Sequence, residues 1–214
     1  MTNLKRKSIQ SGIYLVVDPS MEEQVLLDKL AISLTKEIAA VQILDNFDNV
    51  KNTTALIQKI CSLCAEYNTL VLINNQWKYL ETLKLDGVHF DEIPSDFDEV
   101  RKTINKEIII GLTCGNNLDD VRWAAKNAID YISFCSMFPS SSVSNCEIIT
   151  HETVKKAAQI FNKPLFLAGG INAENLKQLE ELKYEGIAVI SGVMNVANPA
   201  MAIDEYRKII KPKK

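Results

Sequence analysis

Two short stretches near the end of the chain have the composition of phosphate-binding turns. Gly169 and Gly170 end the apolar run PLFLAGG, and Ser191 and Gly192 end the run AVISG. Glycine allows main-chain N–H groups to approach an anion that a side chain would hold away, and a serine hydroxyl adds another donor. Either stretch alone is explained by a tight turn, but the two together favour a site for one phosphate group.

Three further residues have side chains suited to proton transfer or nucleophilic attack. His89 lies in the run DGVHF, Cys114 directly follows the run EIIIGLT, and Cys135 ends the run DYISFC. Histidine acts as an acid or a base near neutral pH, and cysteine acts as a nucleophile or a general acid. A structural role for His89, and a pocket-lining role for the two cysteines, are the competing interpretations.

Eight short apolar runs position these residues. They span residues 12–18, 38–44, 69–74, 86–90, 107–113, 130–135, 164–169 and 186–192. Most are continuously apolar, which is typical of parallel strands buried on both faces, and amphipathic stretches at helical spacing lie between them. The pattern predicts a single (β/α)₈ barrel, an α/β fold, over residues 1–214 with polar tails at 1–11 and 208–214. A doubly wound open sheet is the alternative and would need fewer strands.

The barrel would bring the candidate residues to one face. Loops that follow the strands build the active face of this fold, and the loops after strands seven and eight often hold a phosphate. Gly169–Gly170 and Ser191–Gly192 follow those two strands. We therefore expect both turns to lie side by side and to bind a small phosphorylated substrate.

Composition argues against several other classes of partner. The formal net charge is −3, so we expect no nucleic-acid partner. No segment reaches transmembrane length, and the start MTNLKRKSIQ lacks the apolar run of an export signal, so we expect no membrane association. Five cysteines without such a signal predict reduced thiols and a cytoplasmic location.

The order of motifs along the chain resembles the thiamine phosphate synthase / TenI family. The motifs are YLV in the first strand, VQ in the second, IN in the third, DGVH in the fourth, IG in the fifth, FP with following serines after the sixth, then GGI and VIS. They extend from about Gly12 to Met194. The resemblance implies a (β/α)₈ barrel and a role in thiamine biosynthesis. The family's synthase joins hydroxymethylpyrimidine diphosphate to thiazole phosphate and releases pyrophosphate with Mg²⁺ present.

Much of the family's substrate-binding pattern is retained. On the thiazole-phosphate side the resemblance implies binding by Gly170, Ile190 and Ser191, with Ser140 and Ser142 where the family has threonines. On the pyrimidine side the matching residues are Gln42, Asn74 and Thr113, the last standing where a serine is usual. Because serine and threonine share the hydroxyl group, their hydrogen bonding would survive these exchanges.

The family's charged residues are replaced. An arginine, two lysines and two metal-binding positions are occupied in this chain by Leu44, Asn46, Val143, Asn75 and Pro94. Departure of pyrophosphate depends on Mg²⁺ and on cationic side chains that hold the negative charge. The family pattern therefore implies no metal ligand at its usual positions.

Three carboxylates adjacent to the replaced positions, Asp45, Asp91 and Glu92, are the candidates for a displaced metal site. Three functions stay open. The first is a synthase-type transferase that uses Mg²⁺ at that displaced site. The second is a TenI-type thiazole tautomerase, which needs acid and base groups but no metal. The third is a non-catalytic binder of a phosphorylated metabolite.

Overall fold

Eight parallel strands form a closed barrel in a computed structural model that describes residues 8–104, 106–139 and 147–210. The strands pair in chain order, and the first pairs with the eighth. They are β1 (Gly12–Val17), β2 (Ala40–Ile43), β3 (Val71–Asn74), β4 (Gly87–Phe90), β5 (Ile109–Cys114), β6 (Tyr131–Phe134), β7 (Leu165–Ala168) and β8 (Gly186–Val189). The predicted (β/α)₈ barrel is confirmed.

Helices surround the barrel. The α-helices are α1 (Glu23–Leu34), α2 (Thr53–Glu66), α3 (Phe97–Thr103), α4 (Leu118–Lys126), α5 (His151–Ile160), α6 (Ser191–Met194) and α7 (Pro199–Ile209). In two of the eight units a short 3₁₀ helix follows the strand instead, Trp77–Glu81 after β3 and Leu176–Leu179 after β7. The side chain of Thr150 caps α5 by accepting a hydrogen bond from the main-chain N–H of Thr153.

Asn172 stabilises a turn in the segment after β7 with its side chain. Its side-chain oxygen accepts hydrogen bonds from the main-chain N–H groups of Glu174 and Asn175, each at 2.9 Å. The turn held in this way leads into the 3₁₀ helix Leu176–Leu179.

Alternate residues of each strand face inward or outward, and this divides the apolar core. Outward-facing aliphatic residues pack against the helices in one large cluster. A second, interior cluster contains Tyr14, Tyr131 and Phe166, whose rings contact one another inside the barrel. Burial on both faces explains why the strands are continuously apolar in sequence.

Residues at both proposed tails take part in the fold. Ile9 is 6% exposed and packs in the interior cluster. Helix α7 continues through Ile209, which packs against the outer core cluster. Ile9 and Ile209, which lie within the segments 1–11 and 208–214, therefore contribute apolar contacts to the two core clusters.

Candidate functional site

The five residues expected to contact phosphate line a single cavity at the carboxyl ends of β7 and β8. Gly169 and Gly170 come from the loop after β7, and Ile190, Ser191 and Gly192 come from the segment after β8. This glycine cavity has a volume of about 350 Å³, which suits a small ligand. The parallel barrel brings the two segments together because β7 and β8 are neighbours.

Packing by itself requires glycine in the loop after β7. Gly169 and Gly170 have φ values of 87° and 65°, a region that side chains rarely adopt. A Cβ on Gly170 would lie 2.6 Å from the main-chain oxygen of Phe138, and one on Gly169 would collide with the main chain at Ser136. The two glycines therefore dock this loop against the loop after β6 as well as opening the main chain towards the cavity.

Tyr206 of α7 connects the two sides of the glycine cavity. Its hydroxyl donates to the carbonyl of Ile171 at 3.1 Å. The same hydroxyl occupies the space that a Cβ on Gly192 would need. Tyr206 is 4% exposed, and burial raises the pKa of its phenol. This tyrosine was not among the residues singled out from sequence, because it lies far from any recognised motif.

A second cavity, of about 530 Å³, lies beside the first and shares Cys135 with it. Thr113 and Cys114 of β5 line this carboxylate cavity, together with four acidic residues, Asp91, Glu92, Asp120 and Glu147. None of the described residues that line either cavity is a lysine or an arginine. The negative charge of the carboxylate cavity is therefore unfavourable for a diphosphate.

The three residues predicted for catalysis differ in their surroundings. Burial raises the pKa of the Cys114 thiol to about 12, and this residue is 1% exposed. Burial also lowers the pKa of His89 to about 4, against the opposing effect of the Asp91 charge. Cys135 is half-buried and lines both cavities. It is the best placed of the three for contact with a ligand.

A chain of hydrogen-bonded side chains crosses the interior of the barrel and includes three residues predicted to bind substrate, Gln42, Asn74 and Thr113. The bonded pairs are Thr113–His89 (2.9 Å), His89–Tyr131 (2.8 Å), Tyr131–Tyr14 (2.7 Å), Tyr14–Gln42 (2.7 Å), Gln42–Asn74 (2.5 Å) and Asn74–Asp91 (2.8 Å). Residues of six strands, β1 to β6, thus contribute to one polar network, and Thr113 and Asp91 at its two ends line the carboxylate cavity.

Sequence reasoning missed Tyr14 and Tyr131, which form the centre of this chain. Both lie within apolar runs and are at most 2% exposed. Burial raises the pKa of each phenol, so both stay protonated. The glycine within the apolar run of β5 was a signal in the sequence, because glycine inside a strand often marks a close approach. Gly111 lies beside Tyr131 on the neighbouring strand, and a Cβ at Gly111 would collide with the tyrosine ring.

Comparison with known proteins agrees with this architecture. The family model described as thiamine monophosphate synthase matches residues 13–193. The chain belongs to the thiamine monophosphate synthase family. Membership supports a role in thiamine biosynthesis, as the resemblance of the motifs implied.

Individual members of the family are distant relatives. A thiamine-phosphate synthase of Prochlorococcus marinus is 30% identical over 94% of this chain, and the chain spans 56% of that protein's length. The thiamine-phosphate synthase of Methanobrevibacter smithii is 23% identical over 96% of this chain and 98% of its own length. The solved thiamine phosphate pyrophosphorylase of Pyrococcus furiosus is 25% identical, with a TM-score of 0.76 over 94% of this chain and 95% of that one.

Some family positions lie outside the described residues. Ser140 and Ser142, expected to bind substrate, fall in the segment 140–146, and so does Val143. In the part of the chain that the structure describes, no helix is long and apolar enough to cross a membrane.

Two of the three carboxylates proposed as displaced Mg²⁺ ligands, Asp45 and Asp91, accept hydrogen bonds from amides. The Asn75 amide nitrogen donates to Asp45 at 2.8 Å and to Asp91 at 2.9 Å. Asn74 donates to the same oxygen of Asp91. An N–H donor therefore lies between the two carboxylates, where Mg²⁺ would need another oxygen. No group of three or more His, Cys, Asp or Glu residues suited to a metal occurs among the described residues. With an amide N–H between them, Asp45 and Asp91 do not fit the ion.

Proposed function

We propose that this protein binds a thiazole phosphate in the glycine cavity as part of thiamine biosynthesis. The observation that carries the proposal is the convergence of Gly169–Gly170 and Ile190–Gly192 on one cavity of about 350 Å³. Family membership supports the thiazole, and the two glycine-containing segments support the phosphate.

Electrostatics favour a monophosphate over a diphosphate. Main-chain N–H groups and the Ser191 hydroxyl are neutral donors, which suit one phosphate group. A diphosphate reaching the carboxylate cavity would approach Asp91 and Glu92 with no lysine or arginine among the described lining residues. Because Asn75 donates between Asp45 and Asp91, the arrangement gives no support to a Mg²⁺-held pyrophosphate leaving group. Recognition of thiazole phosphate is thus favoured over its coupling to a pyrimidine diphosphate.

The position of Cys135 favours a second function, a metal-independent thiazole tautomerase. Cys135 lines both cavities, so a ligand whose phosphate lies in the glycine cavity would have its ring near this thiol. Proton transfer between ring positions needs one group within hydrogen-bond reach. His89 is less suitable because it is 4% exposed and is not among the described residues that line either cavity.

Calorimetric titration tests the binding proposal. Thiazole phosphate should bind in the absence of Mg²⁺, and the corresponding unphosphorylated thiazole alcohol should bind much more weakly. Ser191→Ala should weaken phosphate binding about five- to tenfold, equivalent to about 1–1.5 kcal/mol. The matched control is Ser62→Ala, since Ser62 is an exposed serine of α2 outside this cavity. Equal affinities for the phosphorylated and unphosphorylated compounds would refute the proposal.

Turnover assays separate the possible reactions. Conversion of one thiazole phosphate tautomer to the other, lost in Cys135→Ala, would establish the tautomerase. Formation of thiamine phosphate when hydroxymethylpyrimidine diphosphate and Mg²⁺ are added would establish the transferase instead. Binding without either conversion would establish the non-catalytic binder.

A further inference from the structure

The hydrogen-bonded chain inside the barrel has a direction that its acidic end imposes. An ionised carboxylate only accepts hydrogen bonds, so the Asn74 group facing Asp91 is the amide nitrogen. The Asn74 oxygen then faces Gln42, which must present its own nitrogen. The Gln42 oxygen consequently receives the hydroxyl proton of Tyr14.

The same reasoning continues to the other end. Tyr14 has one hydroxyl proton, so it accepts from Tyr131. Tyr131 has likewise used its proton and accepts from the Nδ1–H of His89. Neutral His89 has one N–H, so its Nε2 accepts the hydroxyl proton of Thr113. Every bond from Thr113 to Asp91 runs in one direction, and aligned bonds of this kind strengthen each other.

We propose that the Asp91 carboxylate fixes the direction of the whole chain of hydrogen bonds. His89 is then a positioning residue held as the Nδ1–H tautomer. Because Thr113 donates its only hydroxyl proton to His89, this hydroxyl presents only lone pairs to the carboxylate cavity. The ligand group that contacts Thr113 is then a hydrogen-bond donor, such as an amine, an amide N–H or a hydroxyl. The carboxylates that line the same cavity favour donors as well.

Burial supports the neutral state that this tautomer requires. His89 is 4% exposed, and its pKa is lowered to about 4, so the ring carries a single proton at neutral pH. The rings of His89 and Tyr131 are stacked with centroids 5.5 Å apart. Both ring nitrogens have a partner, which leaves the tautomer to be decided by the direction of the chain.

The tautomer is measurable by ¹⁵N NMR of the imidazole rings, because protonated and unprotonated ring nitrogens have well-separated chemical shifts. The chain has two histidines, so His151→Gln assigns the spectrum. We expect Nδ1 of His89 protonated and Nε2 unprotonated at pH 7. The opposite assignment would overturn the proposal. No ligand is needed, so the result is independent of thiazole phosphate binding.

Two pairs of variants test the cause. Tyr14→Phe removes a hydroxyl that does not contact His89, and it leaves the Tyr131 hydroxyl free to donate to Nδ1 of His89. Its control, Phe166→Leu, disturbs the packing of the same rings without removing a hydrogen bond. Asp91→Ala removes the acceptor end, and Glu92→Ala removes the neighbouring carboxylate. The other tautomer of His89, with the proton on Nε2, should appear in Tyr14→Phe and Asp91→Ala, and not in Phe166→Leu or Glu92→Ala. An unchanged tautomer in Asp91→Ala, or the same change in both members of a pair, would contradict the proposal.

Discussion

The hydroxyl of Tyr206 donates a hydrogen bond to the carbonyl of Ile171, and this contact ties α7 to the loop after β7. The same hydroxyl packs against Gly192, in the segment after β8. One side chain therefore contacts both glycine-containing segments, although they come from different parts of the sequence.

Tyr206→Phe should weaken binding of thiazole phosphate while preserving the fold. The substitution keeps the ring and loses one buried hydrogen bond, which contributes about 1 kcal/mol, so we expect an approximately fivefold increase in Kd. Calorimetric titration measures the change. Tyr67→Phe is the control, since Tyr67 is 43% exposed at the end of α2. An unaltered Kd in Tyr206→Phe would show that the hydrogen bond does not organise the cavity.

Gly170→Ala should lower the free energy of unfolding by at least about 2 kcal/mol. Its φ of 65° disfavours a side chain, and the new Cβ would crowd the main chain of Phe138. Gly115→Ala is the matched substitution, because no atom lies within 4 Å of a Cβ at that position. Denaturant unfolding of both variants gives the comparison, and similar losses in the two would argue against backbone crowding at Gly170.

Stability should decrease between pH 7 and pH 5 because of His89. Burial lowers its folded-state pKa to about 4, so over this range the unfolded chain binds a proton that the folded chain does not. Unfolding is then favoured as the pH falls, by about 2 kcal/mol at pH 5 relative to pH 7. Urea unfolding at several pH values measures the slope. His89→Gln should flatten the dependence of stability on pH. The control His151→Gln, at an exposed position, should leave that dependence unchanged. Equal slopes in the wild-type protein and both variants would exclude His89 as the cause.

Asn75→Asp should create a Mg²⁺ site. The Asn75 amide lies between Asp45 and Asp91, so the substitution brings three carboxylates together and removes two hydrogen bonds. We expect a loss of about 1 kcal/mol or more without metal, recovered on adding Mg²⁺. Thermal unfolding with and without Mg²⁺ measures this, with Asn68→Asp as an exposed control. A Mg²⁺ effect equal to that of the control would show that these carboxylates cannot surround the ion.

Cys135 should react with iodoacetamide before Cys114 does. Cys135 is half-buried and lines both cavities, whereas Cys114 is 1% exposed with a pKa raised to about 12. Peptide mass spectrometry resolves the two sites, and thiazole phosphate should slow the reaction at Cys135. Faster labelling of Cys114 would indicate that the cavities open differently in solution.

The sequence was sufficient for the barrel, for its eight strands and for the pairing of two glycine segments at one cavity. These features follow from local patterns: continuous apolar runs mark buried parallel strands, and the order of the strands fixes which loops are neighbours. The 3₁₀ helix after β7 was less predictable, because the Asn172 side chain that precedes it is compatible with an α-helix or a tighter turn.

The hydrogen-bonded chain from Thr113 to Asp91 required the folded barrel. Tyr14 and Tyr131 are separated by 117 residues and meet only because the closure of the barrel and the register of its strands bring their hydroxyls together. The closure of the barrel likewise places Asn75 between two carboxylates and Cys135 between two cavities. Strand geometry places successive side chains on opposite faces, but partners across the interior depend on the geometry of all eight strands together.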